Sequence, residues 1–241
     1  MTVYQTATST SDILMSRTNR LEGDAVLAHQ QTKGRGRHGR LWESNRDDGM
    51  YLSLALRPKR EVREWPTLSF VSALSLLQAL QTRIELPNAG LKWPNDILVN
   101  GQKISGILLE AQQQEVFLGC GVNLKNAPVI ESAKFAATDI QAQTGTLLNP
   151  VDLAKSFLEC FYHNYQIWQH AGFSAHYDLY KTQLLFQGEQ MSVTQGQTVT
   201  IGIMRGITTQ GDLLLETEQG HIQAITTGDV NLIGHSDVTS N

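Results

Sequence analysis

Two short runs of this chain carry residue types that could do chemistry on an anion. The first, Gly34-Arg35-Gly36-Arg37-His38-Gly39-Arg40, interleaves three glycines with three arginines. Glycine permits the φ > 0 turns that aim consecutive backbone amides at one point, and a guanidinium offers planar paired donors to carboxylate or phosphate. No Lys-Ser/Thr ending follows, so the run is not a P-loop. A solvated basic loop, or one gripping a nucleic-acid backbone, would use the same residues, and the heptad alone does not choose. The second run, Lys92-Trp93-Pro94-Asn95-Asp96, precedes Lys103-Ile104-Ser105-Gly106-Ile107 across an Asn100-Gly101 pair. The exposed Asn95-Asp96 pair and the lysine on the partner strand put a carboxylate, an amide and an ammonium near each other at one hairpin end. Taken singly, Asp96 and Lys103 read as an exposed strand-end salt bridge worth ~0–1 kcal/mol. Gly106 opens the strand backbone to close approach, which a purely structural strand seldom needs.

These runs need elements to hold them. Asn-Gly readily takes the positive φ angles of a tight turn, so residues 91–99 and 103–110 are expected to be the two strands of a hairpin. The apolar runs 50–56 and 116–124 are expected beside it. Leu68, Val71, Leu74, Leu77 and Leu80 recur at three-residue spacing after Trp65-Pro66 and predict a core-facing helix with one buried stripe. A second helix is predicted over 151–168, where Ala154, Phe157, Leu158, Phe161, Tyr165 and Trp168 share a face behind Asn149-Pro150. Beyond residue 187, short β-rich pieces alternate with Gln195-Gly196, Gln210-Gly211-Asp212, Gln219-Gly220 and Gly228-Asp229. That rhythm predicts a small β-barrel or sandwich. The expected architecture is α+β, a sheet with helices packed on it over residues 1–186, then a small barrel or sandwich over 187–235 and a frayed polar tail over 236–241.

Composition narrows the class. The chain has 241 residues, 41% of them hydrophobic and 17% charged, which suits a globular protein with a full core. Its formal net charge of −4 argues against a protein that coats nucleic acid, so no nucleic-acid partner is expected. Two cysteines, Cys120 and Cys160, form neither a disulfide framework nor a metal-type spacing; no protein-held metal is expected, and a reducing cytoplasm is the simplest home. No signal peptide and no apolar run approaching the ~20 residues of a membrane span is evident.

In order, Ser9-Thr10-Ser11-Asp12, Gln31 with the arginine loop through Leu41-Trp42, Lys92-Trp93-Pro94-Asn95-Asp96, Lys103-Ile104-Ser105-Gly106-Ile107-Leu108-Leu109-Glu110 and Gly119-Cys120-Gly121-Val122-Asn123 resemble the biotin–protein ligases. The resemblance runs from about residue 9 to about 233. It implies a class II synthetase-like catalytic domain with a C-terminal SH3-like barrel. It also implies a ligase that activates biotin with ATP as biotinyl-5′-AMP and passes it to a lysine of a biotin carboxyl carrier protein of acetyl-CoA carboxylase. Because the first motif begins at residue 9, no room is expected for the N-terminal helix-turn-helix of some members. Monomers and dimers both occur in the family.

The resemblance also implies roles. Ser9, Thr10, Ser11 and Gln31 would line the biotin site, with Arg35, Gly36 and Arg37 closing over it and Lys103 and Gly106 beside it. The family usually has asparagine where Ser11 stands, and a hydroxyl differs from an amide in reach and donors. Lys103 would contact both the biotin carboxylate and the α-phosphate. Arg37 and Arg40 would lie on the phosphate side, and Trp42, Asn95 and Asn123 near the nucleotide, with Mg²⁺ arriving on its phosphates. Trp42 taken alone reads as core packing before a base platform. Asp96, with Asn95, would position the carrier amine and accept its proton, or Asp96 would only orient Lys103. The barrel could cap the site, touch the nucleotide through Asp229, or dock the carrier. Two rivals remain: a lipoate–protein ligase, with a different glycine/arginine pattern, and a non-enzymatic phosphate- or nucleic-acid-binding module, which leaves Lys92 and Lys103 unexplained.

Overall fold

The computed structural model describes residues 1–130 and 134–233, so the polar tail expected over 236–241 lies outside the described residues. Seven strands form one mixed sheet: β1 (Thr2–Tyr4), β2 (Ala25–Ala28), β3 (Gly49–Leu56), β4 (Ala89–Lys92), β5 (Asp96–Val99), β6 (Gln102–Gln112) and β7 (Glu115–Asn123). Their order is β1-β2-β3-β7-β6-β5-β4; β1 and β2 run parallel, and every other neighbouring pair is antiparallel. Five helices accompany them: α1 (Thr10–Ser16), α2 (Leu68–Gln81), α3 (Ile140–Thr144), α4 (Pro150–Ala171) and α5 (Tyr177–Gln183).

The Asn-Gly turn forms between β5 and β6, with Asn100 at φ +49° and Gly101 at +74°. The strand expected over 91–99 does not run through. It breaks at Trp93-Pro94-Asn95 into β4 and β5, which pair with each other and bring Lys92 opposite Asp96. Proline has no N–H for a ladder, so a central strand cannot continue through Pro94. The extra turn also makes the end of the hairpin far less exposed than the sequence suggests.

The helix predicted over 68–80 is α2, but it has no single stripe. Eleven of its 14 residues are buried, because it lies between the sheet and α4. Ser72 and Ser75 tolerate this by donating to the carbonyls of Leu68 and Val71, at 2.5 and 2.7 Å. Helix α4 starts where Asn149 caps the amides of Val151 and Asp152 and Pro150 takes the first turn. Its rings of Phe157, Phe161, Tyr165 and Trp168 stack in succession toward the core. On the other face α1 buries Leu14 against Val26, Ala55 and Phe117.

The C-terminal strands are β8 (Gln190–Gln195), β9 (Thr198–Ile207), β10 (Leu213–Glu216), β11 (Ile222–Ile225) and β12 (Asp229–Leu232), in the order β11-β10-β9-β8-β12. They form the small antiparallel SH3-like barrel, with Gly196, Gly211 and Gly220 supplying positive φ at its turns. It shares the main apolar core, to which Met191, Val193, Met204, Leu213 and Val230 contribute. Trp93 Nε1 donates to the Gly211 carbonyl at 2.9 Å, tying the turn between β4 and β5 to the barrel.

Candidate active site

The arginine loop folds as a small hairpin of its own. Gly36 N donates to the Arg40 carbonyl at 2.8 Å and Trp42 N to that of Gly34 at 3.0 Å, and Arg35 bridges antiparallel to Leu41. A single turn of 3-10 helix, Arg37–Gly39, makes the tip, with His38 at φ +56° and Gly39 at +71°. Conformational freedom is therefore needed at Gly39, whereas Gly36 sits at φ −112°. Gly34 is required for room, since a Cβ there would lie 2.5 Å from the Trp42 carbonyl oxygen. The amides of Gly36, Arg40 and Trp42 are spent inside the hairpin of this loop. It presents guanidinium groups.

Each guanidinium has a different anchor. Arg35 reaches back to the body, with Nη1 2.6 Å from Asp12 Oδ1 on α1 and Nη2 3.1 and 3.2 Å from the Glu110 carboxylate on β6. Arg37 donates to Asn95 Oδ1 at 3.2 Å and to Thr227 Oγ1 at 3.4 Å. Arg40 Nη2 lies 2.9 and 3.1 Å from the two oxygens of Asp229, at the start of β12, and His38 Nε2 is 3.9 Å away. Burial alone would raise the Asp229 carboxyl, but Arg40, His38 and Arg37 outweigh it and hold it low. Asp12, Glu110 and Thr227 carried no signal as partners, since long-range contacts leave no local pattern.

Across the cavity from the loop, Asp96 carries two ammonium groups. Lys103 Nζ lies 2.7 Å from Oδ1 and Lys92 Nζ 3.2 Å from Oδ2. This is no exposed strand-end bridge, because the side chains of Asp96 and Lys92 are only 12% and 8% exposed. Burial would raise the Asp96 carboxyl; Lys103 and Lys92 together hold it at about 2. Lys92 is pushed below the ordinary lysine value by burial, partly offset by Asp96, and its ammonium sits 4.9 Å from the Phe135 ring centroid. Asn95 donates through Nδ2 to the Ile107 carbonyl at 2.5 Å and receives the Ile107 amide on its own carbonyl at 2.9 Å, fixing the turn onto β6.

A third group forms a polar floor. Gln31 Oε1 accepts from Thr10 N at 2.9 Å and Thr10 Oγ1 at 3.1 Å, and Thr10 and Ser11 both meet Ser53 Oγ, at 2.7 and 3.0 Å. The sequence marks Ser53 only as a lone hydroxyl in the apolar run Met50-Tyr51-Leu52-Ser53-Leu54-Ala55-Leu56. Ser9 is buried one residue before α1 without a side-chain cap bond.

Trp42 forms a wall. Its indole lies over β6 and β7 so closely that a Cβ at Gly121 would come 2.5 Å from the ring and one at Gly106 3.1 Å from it. The Lys103 ammonium is 5.5 Å from the ring centroid, and Trp42 Nε1 is buried with no hydrogen-bond partner among the described residues. Asn123 ends β7 and gives its amide to the Thr138 carbonyl at 3.0 Å.

All the candidate residues, from Ser9, Thr10, Ser11 and Gln31 through the loop to Asn95, Asp96, Lys103, Gly106 and Asn123, border one cavity of about 460 Å³. That volume is in the range of a small-molecule pocket. Its chemistry is divided, with hydroxyls and an amide at one end and cationic groups from both runs at the other.

Both sheets are matched by known protein families. The biotin/lipoate A/B protein ligase family matches residues 3–123, and the biotin protein ligase C terminal domain matches residues 187–232. The biotin–[acetyl-CoA-carboxylase] ligase of Mycobacterium tuberculosis is 33% identical over 235 residues, covering 95% of this chain and 86% of the relative. The bifunctional ligase/repressor BirA of Bacillus subtilis is 32% identical over 225 residues, covering 90% and 69%. Among solved structures, biotin protein ligase from Aquifex aeolicus in complex with biotin and ATP superposes with a TM-score of 0.87 at 29% identity, covering 96% of this chain and 98% of that one. The chain belongs to the biotin/lipoate A/B protein ligase family.

Proposed function

We propose that this protein is a biotin–[acetyl-CoA-carboxylase] ligase, joining biotin to a carrier lysine in two steps with conversion of ATP to AMP and pyrophosphate. The observation that carries this is the division of one cavity into a neutral hydroxyl–amide floor and a cationic end. Biotin needs both, a urea to be hydrogen-bonded and a carboxylate to be brought against a phosphate. The biotin-specific relatives support the same reading. A lipoate dithiolane would leave the floor of Thr10, Ser11, Gln31 and Ser53 facing a group that cannot hydrogen-bond, which a polar site rejects strongly.

In the first step a carboxylate oxygen of biotin attacks the α-phosphorus of ATP, the P–O bond to the β-phosphate breaks and pyrophosphate leaves. Two anions must meet, so cationic groups are needed between them. Lys103 is our candidate to lie at the junction, with Arg37 and Arg40 toward the phosphates; all three act by preorganised charge rather than proton transfer. Thr10, Ser11 and Gln31 would hold the ureido end, with Ser9 beside them and Arg35 and Gly36 completing the cover. Trp42, Asn95 and Asn123 would bound the nucleotide. Among the described residues no group of three His, Cys, Asp or Glu could hold a metal ion. Mg²⁺ would arrive with the nucleotide and be held mainly by its phosphates, whose charge it would partly neutralise.

In the second step the carrier amine forms the amide bond, the acyl–phosphate bond breaks, AMP leaves and the amine loses a proton. A carboxyl held at about 2 is a weak base near neutrality, which favours Asp96 as the residue that orients Lys103 over Asp96 as proton acceptor. Residues 1–186 would supply the catalysis and 187–235 the barrel that clamps the loop through Thr227 and Asp229. The partner would be the biotin carboxyl carrier protein of acetyl-CoA carboxylase, met in the cytoplasm by a monomer or homodimer. No helix is long and apolar enough to cross a membrane among the described residues.

The test is ATP–pyrophosphate exchange. Exchange that requires biotin and ignores lipoate is the expected outcome. Lipoate-dependent exchange would transfer the reading to the sister activity, and salt-sensitive DNA binding without exchange would favour a phosphate-binding module.

A further inference from the structure

Lys92 lies outside the roles assigned above, yet its surroundings are unusual for a lysine. It ends β4, directly opposite Asp96 in the β4–β5 pair, and its side chain is almost wholly withdrawn from water. Its ammonium has the Asp96 Oδ2 contact, a weak 3.5 Å contact to the Trp93 carbonyl and the face of Phe135. Burying a lysine so deeply is costly and needs a compensating reason.

The reason lies in what Lys103 has to do. Paired with Asp96 alone, its charge would be cancelled and it would offer little to two approaching anions. Moving toward them would also strand a buried carboxylate without a cation, a state that costs several kcal/mol. With Lys92 on Oδ2, the trio keeps one net positive charge and Asp96 keeps a partner when Lys103 turns away from Oδ1. We propose that Lys92 is a positioning residue for adenylate formation, acting through Asp96 to free the Lys103 ammonium for the carboxylate–phosphate encounter. Lys92 also borders the cavity, so direct contact with a substrate is the competing account.

The proposal rests on the ligase reading, and wild-type biotin-dependent ATP–pyrophosphate exchange checks that reading first; if wild type does not exchange, the reading fails independently of Lys92. Given wild-type exchange, Lys92→Met keeps the length of the chain and removes its charge. Its exchange kcat is expected to fall at least tenfold with the KM for biotin and for ATP changed less than threefold. Adding Asp96→Asn removes the stranded anion, so Lys92→Met should cost less than threefold in the Asp96→Asn background. That comparison also serves if Lys92→Met alone folds poorly, since the double variant buries no unpaired charge at these positions. A Lys92→Met kcat within twofold of wild type would overturn the proposal. So would a tenfold loss from Lys92→Met in the Asp96→Asn background, which is what direct substrate contact or a merely structural lysine predicts.

Discussion

The cavity has two charged walls built on opposite principles. In the arginine loop, Arg40 is 59% exposed and its partner Asp229 30% exposed, so water and salt compete for the pair at all times. In the hairpin wall, Asp96 and Lys92 are shielded, and Asp96 is gripped on both oxygens. Exposed ion pairs exchange partners cheaply, whereas buried ones fix geometry and punish any vacancy. On the ligase reading the buried Asp96–Lys92 pair would stay fixed while Lys103 meets the anions, and the exposed Arg40–Asp229 pair would exchange where the product is kept.

That contrast can be broken by measurement. Asp96→Ala leaves Lys92 buried without its carboxylate and should cost about 3–5 kcal/mol of stability, against about 0–1 kcal/mol for Asp229→Ala. Denaturant melts of the two variants should therefore separate widely, and equal losses would remove the distinction between the walls. Lys103→Ala should raise the adenylation barrier by on the order of 3–4 kcal/mol, by analogy with the loss of an oxyanion-hole donor. Transfer from preformed biotinyl-adenylate, followed by carrier labelling, should suffer much less, and parallel losses would refute the assignment of Lys103 to the first step.

Smaller effects are expected on the loop side. Arg37→Gly removes the contacts to Asn95 and Thr227, so the loop should still permit adenylate formation but seal it poorly. Rapid gel filtration should show the adenylate leaving this variant faster than wild type, and equal retention would count against a sealing role. The last effect concerns pH and belongs to the hairpin wall. The Asp96 carboxyl is lowered from 3.8 to about 2, so the unfolded state binds its proton first. Its stabilisation should be complete above about pH 5 and fall away as pH drops toward 2, with Asp96→Asn flattening that acid limb.

How far the sequence carried the structure depended on the range of the cause. Asn100-Gly101, the Asn149-Pro150 helix start and the barrel's glycine turns act over a few residues, and each predicted its element. Pro94 is just as local, but its strand-breaking effect is masked by an apolar run that reads as continuous. One stripe is expected of α2 because three-residue spacing hides the Ala and Ser positions that are buried in the fold. Within the cavity, the motifs named the residues that converge, yet not their partners. Asp12, Glu110, Thr227 and Asp229 meet the loop from distant parts of the chain, and only folding reveals that Lys92 and Lys103 share one carboxylate.

The close seat of Trp42 over Gly106 and Gly121 has an optical consequence. Trp65, Trp93 and Trp168 donate their indole N–H groups to Arg60, Gly211 and Thr67, at 2.9, 2.9 and 2.8 Å, and are sunk in the core. Of the four tryptophans, only Trp42 borders the cavity, beside a cation and with its N–H unpaired among the described residues. Its emission should therefore dominate any fluorescence change on addition of biotin or ATP, and Trp42→Phe should silence it, making this indole a native reporter of site occupancy.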